Sequence, residues 1–305
     1  MIHLAGVTGI PQCEADPEYS AKVNVLGSRV LIDQCARLGK PVLFASSLSV
    51  IGPDPRTLVR ENTPACPAHE YARQKAAVEE TLRSCYSNTN SVGVSLRMSN
   101  VYGDYSVHGR RITKANAVTT LTHQAVNGGP LTVHSPGTQR RDFVHVRDVI
   151  EHWQSALEWA LNSESGGVRY ANFNVVSGEV ESIFDVANLL GEIVRTESEG
   201  YIDPQVVVLP SPRSAVEFGW QHLRVSRADT QRILGVECTR KLGNSLRTDV
   251  RELLALHRSA GAWVATAPRA ETVEDAPSVL ATGEERVVGP GPELSERQLD
   301  VARTE

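Results

Sequence analysis

The chain has 305 residues, 41% of them hydrophobic, with net charge −5, enough for one large domain or two modest ones around a real core. The charge is uneven: residues 266–305 hold nine acids and four arginines, and the other 265 balance at zero. No basic stripe points to nucleic acid, and no apolar run approaches the ~18 residues of a membrane-crossing helix.

Met1-Ile2-His3-Leu4-Ala5 lacks the basic start of a signal peptide. Five cysteines (13, 35, 66, 85 and 238) are odd in number and form no C-x-x-C. The expectation is reduced thiols in the cytoplasm, with no disulfide framework and no zinc site.

Residues 1–10 read as a short buried strand and its exit loop. Gly6-x-x-Gly9 is not a dinucleotide loop: the third glycine is missing, and Pro11 and Gln12 stand where a helix should open. Residues 17–38 predict one helix with Val23, Leu26, Val30 and Leu31 on its apolar face and Gly39 as its stop. Pro41–Ser47 predicts a buried strand. Ligands bind beyond the C-terminal ends of parallel strands, which places Ser46 and Ser47 for function; the plainer alternative is a turn capped by serines. Residues 52–69, with four prolines, predict a loop.

Tyr71-Ala-Arg-Gln-Lys75 then opens a helix running to Tyr86. A tyrosine and a lysine four apart share one helix face. A free phenol, with pKa about 10, is a poor base at pH 7, and a nearby ammonium lowers that value. Such a pair can accept a proton from a sugar hydroxyl, although an ordinary surface pair has the same spacing.

Strands follow at Gly93–Arg97, Pro130–His134, Tyr170–Val176 and Val206–Leu209. Helices are expected near 112–127, from the segment after Arg140 to Asn162, from a Ser182 cap to Arg195, and over 226–234 and 243–258. This alternation means an α/β parallel sheet. Residues 263–305 lose periodicity and predict a disordered acidic tail. Asp142, His145 and Asp148 are not expected to bind a metal, and His69-Glu70 does not complete H-E-x-x-H.

Four segments in order now form a pattern: Ser46-Ser47-Leu48-Ser49-Val50-Ile51-Gly52, Tyr71-x-x-x-Lys75, Arg97-x-x-Asn100-Val-Tyr-Gly103 and Arg141-Asp-Phe-Val-His-Val-Arg-Asp148. The set resembles the extended short-chain dehydrogenase/reductase family, in its NAD-dependent sugar-nucleotide epimerase/dehydratase branch, over roughly residues 1–262. The resemblance implies Tyr71 as general acid/base and Lys75 as the residue that lowers its pKa and holds the nicotinamide ribose. It implies Ser47 as the partner of the reacting sugar hydroxyl. Leu4, Ala5, Gly6, Asn24 and Ser46 would line NAD (NADP not excluded). Asn100 and Arg141, with Arg213 as a second arginine, would meet the nucleotide diphosphate. Arg141 could instead pair with Asp142 or Asp148.

The resemblance also implies a Rossmann-like doubly wound sheet at 1–103 and 141–177 and a small α/β substrate lobe at 104–140 and 178–262. The family begins with a first strand, a glycine-rich loop and two βα units, whereas residue 1 here already aligns with the fourth strand. About 60 residues are therefore expected to be lacking, with Met1 read from an internal GTG start. Dehydratases of the family carry Asp-Glu where Leu48 and Ser49 stand. This leaves a 4-epimerase on a nucleotide-diphosphate sugar, with a 4-keto-sugar reductase or an inactive truncated member as alternatives. Family pairing through the Tyr71 helix implies a homodimer.

Overall fold

We describe a computed structural model of the protein over residues 1–52, 58–108, 110–113, 116–162, 168–210 and 223–259. Arg213 and the tail at 263–305 lie outside the described residues. Strand β1 (Ile2–His3) leads into α1 (Ile10–Ala15), α2 (Pro17–Ala21), a π-helical stretch (Lys22–Gly27) and α3 (Ser28–Arg37). Next come β2 (Val42–Ser47), one 3-10 turn (Leu48–Ile51), α4 (Glu70–Tyr86), β3 (Gly93–Met98) and β4 (Asn100–Tyr102). The hairpin β5 (Tyr105–Val107) and β6 (Arg110–Ile112) precedes α5 (Ala117–Val126), β7 (Leu131–His134), β8 (Arg140–His145) and α6 (Val146–Asn162). The chain continues through β9 (Tyr170–Val175), β10 (Val180–Ser182), α7 (Ile183–Glu197), β11 (Val206–Leu209), α8 (Ala228–Leu234) and α9 (Leu242–Ser259).

The central sheet is parallel, in the order β1-β2-β3-β9. The two-residue period of β2 sends Val42 and Phe44 to one face and Leu43 to the other. Val42 and Phe44 pack with Ile32 and Ala36 of α3 and Val78, Leu82 and Tyr86 of α4. Leu43 joins Val94 and Leu96 of β3, Phe173 of β9 and Ala156 and Ala160 of α6. Helices thus cover both faces, as a parallel sheet requires. Full burial of Phe44 alone stabilises this layer by roughly 1.5–3 kcal/mol.

Two smaller sheets, β10-β8-β4 and β11-β7, lie beside it. A separate core joins α5, α7 and α9 through Val118, Leu121, Leu190, Ile193, Leu246 and Val250. By its contacts, the chain from Met1 to Ala262 is one compact unit containing both cores.

Two sequence expectations are corrected here. A helix does open at Ile10: Pro11 sits in its first turn, where a missing N–H costs nothing. The 17–38 helix is divided, and its inward stripe is Asn24, Ser28, Ile32 and Ala36, while Leu26, Val30 and Leu31 are 56%, 63% and 42% exposed. The π-helical turn adds a residue and shifts the phase, so polar Asn24 faces inward. The strands β4, β8 and β10 were also unanticipated; they are short, and β8 and β10 make their pairing across 40 residues of sequence.

Candidate active site

The C-terminal ends of β1 and β2 meet the first turns of α4. His69 caps that helix, its Nδ1 accepting from the Ala72 N–H at 3.2 Å, and its ring stacks on Tyr71 with centroids 6.2 Å apart. Tyr71 and Lys75 follow one turn apart on the face turned to β2. The Lys75 Nζ donates to the Ala45 carbonyl at 2.8 Å and stands 4.7 Å from the Phe44 ring centroid and 5.7 Å from that of Tyr71. Ser47, the last residue of β2, lies near enough to the Tyr71 phenol to act on its pKa, and it starts the 3-10 turn with its hydroxyl 2.9 Å from that of Ser49. Ser47, Tyr71 and Lys75 are thus brought together.

The phenol differs from expectation. Burial pushes Tyr71 up to about 12, and the nearby Ser47 hydroxyl pulls it back only in part. Desolvation outweighs the charge effect that the spacing suggested: the ammonium is turned to the Ala45 carbonyl, and the half-buried phenol has lost part of its water.

The β1 exit loop closes the other side. Leu4 and Ala5 are exposed and Gly6 is partly buried. A Cβ on Gly6 would lie 2.8 Å from Asn24 Oδ1 and 4.0 Å from Lys75 Nζ, so bare backbone is required there. Asn24 Oδ1 accepts from the Val7 N–H at 2.7 Å, and its Nδ2 donates to the Val7 carbonyl at 3.0 Å and to Gln74 Oε1 at 2.7 Å. Its side chain is thus spent on shaping the loop. This corner, with a glycine cradle beside a lysine and a phenol, fits the nicotinamide-ribose end of NAD. Ser46 is different: its hydroxyl donates to Glu79 Oε1 at 2.6 Å, so only its backbone is left to face a ligand.

Asn100 on β4 and Arg141 on β8 sit on paired strands, with Asn100 opposite Phe143. Asn100 Nδ2 donates to the Asp142 carbonyl at 3.1 Å. Burial draws the Arg141 guanidinium below its ordinary value. The two carboxylates offered as its alternative partners have other partners. Asp142 accepts from Ser99 Oγ, from Ser177 N and from Gly178 N, and Asp148 from Arg240 and from the Thr239 N–H. Among the described residues no group of three His, Cys, Asp or Glu is placed to hold a metal.

The sequence reasoning missed a buried network behind the site. Gln74 Nε2 donates to Ser20 Oγ and Glu70 Oε1, at 2.9 and 3.0 Å, besides accepting from Asn24. Glu79 forms a bidentate pair with Arg97 on β3. His3 meets Ser28 at 2.8 Å, and burial, then the Lys75 charge, lower its pKa. The one available signal was position: Glu79 lies four residues after Lys75 and eight after Tyr71, on the same helix face.

A profile of the NAD dependent epimerase/dehydratase family matches residues 1–175. The chain belongs to that family. It is 29% identical over 232 residues to the UDP-glucose 4-epimerase of Mycolicibacterium smegmatis, covering 72% of this chain and 70% of that one. In fold it is similar to the UDP-glucose 4-epimerase of Thermotoga maritima solved with UDP-glucose, with TM-score 0.67, 23% identity and coverage of 84% of this chain and 77% of that one. It is likewise similar to the UDP-glucuronic acid 4-epimerase of Bacillus cereus in complex with UDP-glucuronic acid and NAD, with TM-score 0.67, 21% identity and coverage of 84% and 76%. The family consists of enzymes with this Rossmann-like parallel sheet, and no helix among the described residues is long and apolar enough to cross a membrane.

Proposed function

We propose that this family member binds NAD and epimerises C4 of a nucleotide-diphosphate sugar. The observation that carries the reading is the meeting of Ser47, Tyr71 and Lys75 at the C-terminal end of β2, beside the bare Gly6 backbone. NAD, when bound, would supply the hydride-accepting and hydride-donating chemistry at C4. Tyr71 takes the O4 proton as the C4–H bond breaks and gives it back from the same oxygen. Ser47 hydrogen-bonds O4, and Lys75 holds the nicotinamide ribose. Gly6 and the loop shaped by Asn24 line the cofactor, with Leu4 and Ala5 beside them and Ser46 contributing backbone. Asn100 and Arg141 grip the diphosphate, and Arg213 is assigned the same task.

Epimerisation is favoured over dehydration by residues 48 and 49. Dehydration needs an acid and a base at neighbouring sugar carbons, and buried Leu48 and neutral Ser49 provide neither. A second reading, a 4-keto-sugar reductase using NAD or NADP, draws support from the raised Tyr71 pKa, since a protonated phenol is ready to give a proton. Domain roles follow from the sites: 1–103 and 141–177 hold cofactor, 104–140 and 178–262 hold substrate. Five free thiols favour a reducing, cytoplasmic setting. The exposed apolar residues of the π-helical stretch and α3, beside α4, favour a homodimer through these helices.

The test is conversion of UDP-glucose by the NAD-supplemented chain, beside Tyr71→Phe. Loss of about 10²–10⁴-fold in kcat is expected for the variant. Equal rates in the two proteins would remove Tyr71 from the chemistry, and NADH consumption with a 4-keto-sugar in place of epimerisation would favour the reductase.

A further inference from the structure

Two polar stripes face each other beside the Tyr71–Lys75 face. Ser20 and Asn24, four apart, come from α2 and the π-helical stretch, and Glu70 and Gln74, four apart, from α4. Ser20, Asn24 and Gln74 are buried, so the donors and acceptors among them have to be matched.

The match can be followed from both ends. At one end is the Val7 backbone, next to Gly6. Its N–H can only donate and its carbonyl only accept, and the Asn24 amide answers both, with Oδ1 at 2.7 Å and Nδ2 at 3.0 Å. Val7 thus decides which way the Asn24 amide lies, and the second Nδ2 proton goes to Gln74 Oε1 at 2.7 Å. An acceptor must stand there. At the other end, the Glu70 carboxylate only accepts, and its Oε1 lies 3.0 Å from Gln74 Nε2. Ser20 Oγ lies 2.9 Å from the same nitrogen, and its own proton goes to the Pro17 or Cys13 carbonyl, at 3.2 and 3.3 Å. Donors must stand there. Position 74 therefore needs an acceptor toward Asn24 and two donors toward Glu70 and Ser20, which is the set a primary amide supplies.

We propose that Gln74 is a positioning residue that ties the Tyr71 helix to the β1 exit loop and holds Val7, beside bare Gly6, in the shape that receives the nicotinamide ribose. The proposal rests on this corner holding NAD. Gln74 does not touch the cofactor; it acts through Asn24 and Val7. It stands between Tyr71 and Lys75 in the chain, so the helix that brings the phenol and the ammonium also sets the loop they face.

The experiment measures NAD and UDP binding by titration calorimetry in the full chain. It compares wild type, Gln74→Met, Gln74→Glu and the exchanged pair, Gln74→Glu with Glu70→Gln. Gln74→Met takes the acceptor from Asn24, and NAD should bind about 5- to 20-fold more weakly. Gln74→Glu sets two carboxylates against each other and should weaken NAD at least about 10-fold. The exchange restores one amide facing one carboxylate, and Ser20 can turn its proton to position 74. NAD affinity should then return to within about threefold of wild type. UDP, whose proposed contacts lie on β4 and β8, should stay within about threefold throughout, which a general loss of structure would not allow. Wild-type NAD affinity in Gln74→Met, equal weakening of NAD and UDP, or an exchanged pair no better than Gln74→Glu would overturn the proposal. Should Gln74→Glu fail to fold, Gln74→Met and the exchanged pair decide between the same outcomes. If wild type binds no NAD, the functional reading falls, and the hold on the loop is read from hydrogen exchange at the Val7 amide. Exchange about 10-fold faster in Gln74→Met, with the wild-type rate in the exchanged pair, upholds it, and equal rates in wild type and Gln74→Met overturn it.

Discussion

Replacing Arg97 with methionine should cost this protein about 3–5 kcal/mol, a large part of the ~5–15 kcal/mol that a natural domain has. Arg97 and Glu79 are buried, and their side chains are 3% and 6% exposed. The Arg97 fork gives Nε to Glu79 Oε1 at 2.9 Å and Nη2 to Oε2 at 2.7 Å. Its Nη1 reaches the Thr63 carbonyl at 3.2 Å, and the Ser46 hydroxyl donates to Glu79 at 2.6 Å. Arg97→Met would leave a buried carboxylate with Ser46 as its remaining hydrogen-bond donor in this group. Glu79→Leu leaves the guanidinium unbalanced, and should cost somewhat less. Arg97→Met combined with Glu79→Leu removes both charges, so its cost should fall well below the sum of the single changes, with coupling of at least about 2 kcal/mol. Urea unfolding followed by circular dichroism gives all four corners of the cycle. At about 2–4 °C per kcal/mol for a domain of this size, the Arg97→Met transition should drop by roughly 10 °C. Single changes costing under about 1 kcal/mol each and adding simply would refute the view that this pair joins β2, β3 and α4.

Two further outcomes are expected. Burial holds the His145 imidazole down at about 4 against an ordinary 6.5, so it is neutral in the fold and gains a proton more readily when unfolded. Its contribution is present above pH ~6.5 and lost as pH falls toward 4, about 3 kcal/mol in all. Burial raises the Asp142 carboxyl, which works in the opposite sense, so the measurement compares wild type with His145→Gln over that window. Parallel stability curves for the two would count against it. For self-association, Leu26 and Val30 stand exposed one turn apart. Changing both to glutamate should convert a dimer to monomer in light scattering at micromolar concentration, and an unchanged mass would remove this face as the interface.

The parallel sheet and the Tyr71–Lys75 helix could be read locally. Apolar runs bounded by glycine and proline, alternating with 3.6-residue patterns, carry that information within about 20 residues each. Ser47, Tyr71 and Lys75 could be singled out because four motifs stand in order along the chain; the Tyr–Lys spacing alone fits an ordinary surface pair equally well. The inward face of the 17–38 segment was not, because one π-helical turn rotates everything after it, and only the need to pair Asn24 with Val7 and Gln74 shows why.

The ionisation of Tyr71 belongs wholly to the assembled molecule. From residues 71 and 75 alone, an ammonium one turn from a phenol argues for a lowered pKa. In the fold, the Ala45 carbonyl from a neighbouring strand takes up that ammonium, and packing removes part of the water around the phenol. Likewise, nothing in the order of residues 46, 79 and 97 announces that they form one buried cluster. Desolvation and long-range pairing depend on how segments distant in the chain are packed, so they come into being only when the sheet and its helices close together.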